Sequence, residues 1–503
     1  MASTFEPRTH VTADPRVRLE SSLERSGAPA EVRSRVLARL DRLPEEDAAR
    51  ERALLERVSS GPNASRAVRA YDEVARIAES SATARQRLTP EVREALVRGV
   101  ADPRTPGDPL GNKGIMGVRQ ATTAAETLVH MPRDRYDAVS GLLSSAGRSH
   151  SAAPSADPST ERALILEAVA ARSEELRGRG TAGDRALDQV RGFANDVRGL
   201  SREELVRTTS AIDVDSRVSS STTDPEHLGR TGTDAVGDND GLVQRFRDSC
   251  SPTVAQMERA ELDPVHARRL HRDGVSSGAT TGDVAAEQRR TLEAHGGRAV
   301  SRESHDRAID AVSRLLNAFD AAHASPEMRS RMVRYARGQV TDTEELMHVR
   351  ADLETLRSAS GGSPSVEDLQ VVREESRAPR GRGVDLGVAL NRVAGDAANA
   401  RYVTRNVGAH GLTASQANDL ARRIAAGNDV GMRITDAQNH GGHAMLMTDV
   451  RGSGADREFL VSDPWSGRSA WVRESELRAP HTPAFEREFG LGWDRMRQFY
   501  VPQ

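Results

Sequence analysis

The amino-acid sequence predicts an α+β fold, in which an all-α N-terminal region precedes a unit built on a small antiparallel sheet. Apolar residues at helical spacing recur through roughly the first two hundred residues, as in "PAEVRSRVLARLDRL". Three β-like runs, "HAMLMTDV", "REFLVSD" and "SAWVRES", lie between residues 443 and 475 and are separated by Gly- and Asp-containing turns. The three tryptophans, Trp465, Trp471 and Trp493, also lie near the C-terminus. We therefore expect the best-packed core there.

Composition excludes several classes of protein. The chain has 503 residues, a net charge of −3 and one cysteine, which rules out an intrachain disulfide. Acids alternate with arginines in the N-terminal helices, so we expect no nucleic-acid partner. The N-terminus lacks a signal pattern, and no apolar run approaches the ~18 residues of a membrane span. These features predict a cytoplasmic protein without a membrane partner, and export as an effector without a cleaved signal is the alternative.

Changes in composition along the chain suggest three parts. Residues 1–212 read as consecutive helices, with a candidate division at the Ser/Ala/Pro-rich stretch 144–159. Residues 213–241 are polar, lack periodicity and read as a linker. Residues 242–503 form the α+β unit. We expect the N-terminal helices to bind a protein partner or to inhibit the unit that follows them.

The only cysteine lies in an unusual setting, "QRFRDSCSPT". Ser251 is a candidate N-cap and Pro252 suits the first helical position, so a helix is predicted to begin at this point. The positive end of that helix would favour the thiolate of Cys250, which is the nucleophilic form of a cysteine. A structural cysteine near a helix start is the alternative that these features leave open.

A histidine and an aspartate in the C-terminal runs offer partners for this thiol. His443 begins an apolar strand behind two glycines, and Asp463 ends the next strand, where Pro464 stops it. Open ends of adjacent strands meet, so the carboxylate would fix the imidazole in the tautomer that accepts a thiol proton. His440 and His443 with Asp463 could also mimic a zinc site, but no third His or Cys lies at ligand spacing.

The C-terminal part resembles papain-like cysteine peptidases, closest to the C39-like bacterial type. Three short motifs carry the resemblance: the Cys-Ser-Pro-Thr helix start at 250–253, the Gly-His-Ala-Met strand at 442–445 and the Asp-Pro-Trp-Ser-Gly turn at 463–467. The resemblance covers roughly residues 240–280 and 385–480. It implies a papain-like domain, in which the helix that starts at the cysteine packs on the sheet.

The resemblance also implies a role for each residue. Cys250 would be the nucleophile, His443 the base and Asp463 the residue that orients it, while Gln244, six positions before the cysteine, would donate to the oxyanion. Ser251 departs from the glycine usual in the family. The separation of cysteine and histidine also exceeds what a compact papain core needs, so residues 284–380 are read as a helical insertion.

Three functions are consistent with these residues. The first is a cysteine peptidase that cleaves peptide or isopeptide bonds of a protein or peptide substrate, without a cofactor or a metal. The second is an acyl-transfer enzyme of the transglutaminase or deamidase kind, which uses the same order of Cys, His and Asp. The third is a non-catalytic helical interaction protein with an inactive papain-like domain.

Overall fold

The structure is a computed structural model of the chain. It describes residues 14–103, 114–148, 158–202, 204–205, 209, 242–246, 248–270, 283–297, 299, 302–336, 339–340, 342–362, 364–377, 383–398, 400–436, 442–465, 467–489 and 493–503. The predicted linker 213–241 lies outside these residues. Within them the fold is α+β, with a helical N-terminal region and one antiparallel sheet of six strands.

The N-terminal region is helical, as its periodicity predicts. Prolines mark several starts: Pro44 and Pro132 precede helices, and Pro90 opens one behind the capping side chain of Thr89. In chain order the helices are α1 (Pro15–Arg25), α2 (Ala30–Leu40), α3 (Glu45–Val58), α4 (Ala64–Glu79), α5 (Ala82–Arg87), α6 (Pro90–Ala101), α7 (Val118–His130), α8 (Arg133–Ser145), α9 (Pro158–Ala170), α10 (Ser173–Arg177) and α11 (Thr181–Val197).

Two hydrophobic cores hold these helices, and α4 belongs to both. Its Val68 and Tyr71 pack with α1–α3, whereas Val74 and Ile77 pack with α5–α11. Helices before and after the stretch 144–159 share the second core. That stretch therefore does not divide the region into two packed parts, because α8 and α9 bury their apolar residues against the same neighbours.

The helix that carries the cysteine opens the second half of the described chain. Helix α14 (Asp283–Glu293) packs its Val284 and Leu292 into the same core as this helix. The four described helices between residues 302 and 377, α15–α18, instead bury their apolar residues in a core of their own. Within the predicted insertion 284–380, the helices that pack separately from the core beneath the sheet therefore begin after α14. The helices are α12 (Cys250–Leu262), α13 (Pro264–Arg269), α14 (Asp283–Glu293), α15 (Arg302–Ala321), α16 (Pro326–Ala336), α17 (Thr343–Ala359) and α18 (Val366–Arg377).

The sheet occupies the last hundred residues. The three β-like runs form β3 (His443–Arg451), β4 (Glu458–Asp463) and β5 (Arg468–Arg473). The remaining elements of this part are α19 (Leu386–Val393), α20 (Gly395–Ala398), β1 (Tyr402–Asn406), α21 (Ala414–Ala425), β2 (Val430–Thr435), α22 (Glu474–Leu477), α23 (Pro483–Phe489) and β6 (Arg495–Pro502). The strand order is β1-β6-β2-β3-β4-β5, and every neighbouring pair is antiparallel.

Residues 444–447 of strand β3 form an apolar run because both faces of the sheet are covered there. Ala444 and Leu446 share a core with α12 and α19, whereas Met445 and Met447 share the opposite core with α21 and α23. Side chains alternate between the two faces of a strand, so a run without polar residues is expected where both faces are buried. Helix α12 and β3 are thus held against each other by close packing.

The N-terminal helices pack directly on the α+β unit. Arg172 at the start of α10 makes a bidentate ion pair with Asp263 at the end of α12, with N–O distances of 2.8 and 3.1 Å. Both side chains are buried. A second close approach joins two glycines: a Cβ on Gly427, which has a φ of +87°, would lie 2.5 Å from the Cα of Gly117. Packing and charge both fix this interface.

Among the described residues, no helix is both long and apolar enough to cross a membrane.

We predict that breaking the buried ion pair destabilises the fold. Arg172→Met removes the guanidinium partner of the buried Asp263 carboxylate and leaves it only the backbone N–H groups of Val265 and His266, so the free energy of unfolding should fall by about 3–5 kcal/mol. Urea denaturation followed by circular dichroism measures the change. Arg191→Met, which removes the exposed pair with Asp188, is the control and should change the value by less than about 0.5 kcal/mol. Equal effects of the two substitutions would contradict the prediction.

Candidate active site

The cysteine is the first residue of α12. Ser249 occupies the N-cap position, so the predicted cap at Ser251 is wrong by two residues. The Ser249 side chain does not cap the helix; its hydroxyl donates to the Phe246 carbonyl at 2.9 Å. The backbone N–H groups of a first helical turn lack intrahelical acceptors, and one of them, from Ser251, donates to the sulfur of Cys250. The helix start favours a thiolate at this position.

A buried glutamine on α14 holds the segment that leads to the cysteine. The Gln288 carbonyl oxygen accepts from the Arg245 backbone N–H at 2.8 Å and lies 3.1 Å from the Ser249 hydroxyl oxygen. Its amide N–H donates to the Val243 carbonyl at 3.1 Å. Gln288 is fully buried, so these bonds do not compete with water. Sequence reasoning missed this residue and assigned its helix to the insertion.

His443 and Asp463 lie at the open end of the hairpin formed by β3 and β4. Leu446 pairs with Ser462, which brings the first residue of β3 beside the last residue of β4. His443 Nε2 lies 2.5 Å from Asp463 Oδ1, and both side chains are buried. The same oxygen accepts from the Trp465 backbone N–H at 2.9 Å. Because Nε2 binds the carboxylate, Nδ1 is the ring nitrogen that is left for the thiol.

The three side chains alter one another's pKa. Burial raises the pKa of the Cys250 thiol, but the hydrogen bond and positive charge of His443, with backbone N–H groups of Ala444 and Ser251, bring it below its usual value. Burial lowers the pKa of His443, whereas the charge and hydrogen bond of Asp463 and the contact with Cys250 raise it to about 9. Both shifts favour the form of the pair in which a Cys250 thiolate faces a His443 imidazolium.

Trp493 covers the imidazole. Its ring stacks on that of His443 with the centroids 5.2 Å apart and an angle of 20° between the planes. An aromatic face favours a nearby cation and shields its hydrogen bonds from water, so the contact supports the imidazolium. The sequence indicated only that Trp493 belongs to the C-terminal core. Its position beside His443 depends on the strand β6 that follows it, which was not predicted.

Gln244 lines the same cleft as the thiol and is fixed by the turn after β4. Its backbone N–H donates to the Pro464 carbonyl at 2.9 Å. Its side-chain N–H donates to the Phe246 carbonyl at 3.1 Å. The structure thus brings together all four residues singled out in the sequence, from three separate segments.

Gln244, Cys250 and His443 line a cleft of about 580 Å³, within the range of ligand sites, whereas the fully buried Asp463 does not line it. Its remaining lining residues come from the same α+β unit, and none of the described N-terminal helices reaches it. They are Asp248, Ser251, Gly383, Val384, Asp385, Leu386, Arg433, Gly442, Ala444, Trp465, Trp493 and Tyr500.

The glycine before the histidine makes room for an arginine. A Cβ on Gly442 would lie 2.9 Å from Nε of Arg433. Arg433 pairs with Ala444 across the ladder, so its side chain lies on the α12 face of the sheet. The half-buried guanidinium has no ion pair within the described part of the chain. It therefore places a positive charge on the cleft wall beside the thiol.

The histidines considered for a metal form no such site in the described residues. His440 lies outside them, and no group of three His, Cys, Asp or Glu side chains within them could hold a metal ion.

No protein-family model, curated protein or solved structure matches the chain.

We predict that Cys250 reacts with iodoacetamide at neutral pH. Alkylation follows the thiolate fraction, so its midpoint should lie below the ~8.5 of a free thiol, and His443→Ala should raise it toward that value. Mass spectrometry of the intact chain measures the rate, since the only cysteine is the only thiol. His410→Ala, at an exposed histidine, is the control and should leave the midpoint unchanged. Identical profiles of the wild type and His443→Ala would contradict the prediction.

Proposed function

We propose that the protein is a papain-like cysteine peptidase, with Cys250 as nucleophile, His443 as general base and acid, and Asp463 as the residue that orients it. One observation carries the proposal: a thiol at a helix start contacts an imidazole, and a buried carboxylate holds the far nitrogen of that imidazole at 2.5 Å. A nucleophile, a base and a residue that orients the base are the parts required for acyl transfer.

In the first half of the reaction, the Cys250 thiolate attacks the carbonyl carbon of the scissile bond. The new C–S bond pushes the π electrons onto the carbonyl oxygen. The backbone N–H of Cys250 and the side-chain amide of Gln244 stabilise this oxyanion. The His443 imidazolium then gives its proton to the leaving nitrogen as the C–N bond breaks. A thioester and a neutral imidazole result.

In the second half, the neutral imidazole of His443 takes a proton from water, whose oxygen attacks the thioester. The C–S bond breaks, the carboxylic acid leaves and the thiolate–imidazolium pair is restored. Asp463 keeps Nδ1 directed at the sulfur in both halves because Nε2 stays bonded to it. The requirement for a proton on His443 places the alkaline limit of activity near its pKa of about 9.

The cleft supports a peptide substrate. Val384, Leu386 and two tryptophans offer apolar and aromatic surface, and polar atoms for the substrate backbone come from segments on both sides of the thiol. A peptide or isopeptide bond of a protein is thus the proposed target.

We predict that the purified chain cleaves a denatured protein and that the hydrolysis depends on Cys250 and Asp463. New N-termini detected by mass spectrometry should be absent for Cys250→Ala. Asp463→Asn favours the wrong imidazole tautomer and should lower kcat by up to about 10⁴. Asp456→Asn, at an exposed position in the turn of the same hairpin, is the matched control and should retain activity.

Two outcomes would contradict this function. Turnover by Cys250→Ala equal to that of the wild type would exclude the thiol as nucleophile. Cysteine-dependent deamidation or cross-linking of glutamine side chains, without new N-termini, would show that the thiol transfers the acyl group of glutamine and does not hydrolyse peptide bonds.

A further inference from the structure

A second cleft lies between the N-terminal helices and the sheet. Its volume is about 580 Å³, the same as that of the catalytic cleft. Five of its lining residues are arginines, and none is an aspartate or glutamate. Its walls are formed by Pro62, Asn63, Ser65, Arg66, Arg69, Asn418, Ala421, Arg422, Ala425, Val450, Arg451, Gly452 and Arg457.

Carboxylates that do not line the cleft hold most of its guanidinium groups in place. Arg66 donates to Asp449 Oδ1 at 2.7 Å, and the Asp449 side chain is almost completely buried. Arg457 donates at 2.9 Å to Glu474, which does not line the cleft. A guanidinium has five N–H donors in a rigid fork, so one such bond leaves donors directed elsewhere. The cleft is therefore a preorganised set of donors.

The start of α4 adds further donors to the same wall. Asn63 is its N-cap, but the side chain makes no capping bond and its Oδ1 instead accepts from Arg66 at 3.4 Å. The backbone N–H groups of Ser65 and Arg66 have no acceptor in the described part of the chain. Arg69, one turn further along α4, makes no ion pair or hydrogen bond there either. These groups present uncompensated positive potential to the cleft.

We propose that this cleft binds a soluble compound with two or more phosphate groups. Guanidinium forks match phosphate oxygens in geometry and charge. Four of the five pair with carboxylates outside the cleft, so a ligand would meet the charge of Arg69 and the further N–H donors of the paired forks, which are more than a single carboxylate can use. The cleft is concave and of small-molecule size, whereas a nucleic acid would need an extended basic surface. The proposal stands independently of the catalytic assignment, because no residue is shared between the two clefts.

Binding at this place would join two parts of the fold. Arg66 and Arg69 belong to α4 in the N-terminal region, whereas Arg451 and Arg457 flank the turn between β3 and β4. The same hairpin carries His443 and Asp463 at its other end. A phosphorylated ligand would therefore hold the N-terminal helices against the hairpin and raise the thermal stability of the whole chain.

Isothermal titration of the full chain with sodium tripolyphosphate tests the proposal. We expect saturable binding of one molecule and a melting temperature that rises with its concentration. Arg69→Gln and Arg422→Gln should each weaken binding about tenfold or more, because each removes a charge-assisted contact. Arg69 has no described partner and Arg422 lies on the surface, so neither substitution should affect folding.

Arg18→Gln is the matched control, since this arginine is exposed and lies on α1, away from the cleft. It should leave the affinity unchanged at the same ionic strength. Equal weakening by Arg18→Gln would mean that tripolyphosphate binds through general charge attraction, and this would overturn the proposal. Absence of saturable binding to a wild-type chain that melts cooperatively would overturn it as well.

Discussion

The contact between His443 and Asp463 is the interaction on which the rest of the candidate site depends. A carboxylate that is completely buried, as Asp463 is, requires charge or hydrogen-bond compensation. Here the compensation comes from the imidazole at 2.5 Å and from the Trp465 backbone N–H. The same contact raises the pKa of His443, and the resulting imidazolium lowers that of Cys250. One buried carboxylate thus favours the thiolate form of Cys250 through the imidazole that lies between them.

Two scaffolds bring these charges together. The hairpin of β3 and β4 fixes the imidazole and the carboxylate through its register, and packing on both faces of the sheet prevents that register from slipping. Helix α12 presents the thiol at its positive end and shares the core beneath β3. Gln288 helps to position the thiol on its scaffold. Its buried amide binds the backbone of the segment before α12 and so restricts the movement of the cysteine that follows.

The sequence predicted the parts of this arrangement that have local signals. β-like runs separated by turn residues indicated β3, β4 and β5. Strands β1 and β6 were missed because they pair with each other over some ninety residues of chain, and such pairing leaves no local pattern. Gln288 and the stacking of Trp493 on His443 were missed for a related reason. Both are contacts between distant segments, and neither leaves a pattern in its own neighbourhood.

The most direct test of the central claim is the ionisation of His443 itself. Nuclear magnetic resonance of the chain with labelled histidine side chains, assigned by comparison with His443→Ala, measures its titration in the wild type and in Asp463→Asn. We predict a pKa near 9 in the wild type and a fall toward or below about 6.5, the value of an unperturbed histidine, in the variant. A wild-type histidine that titrates near 6.5, unchanged by Asp463→Asn, would contradict the account.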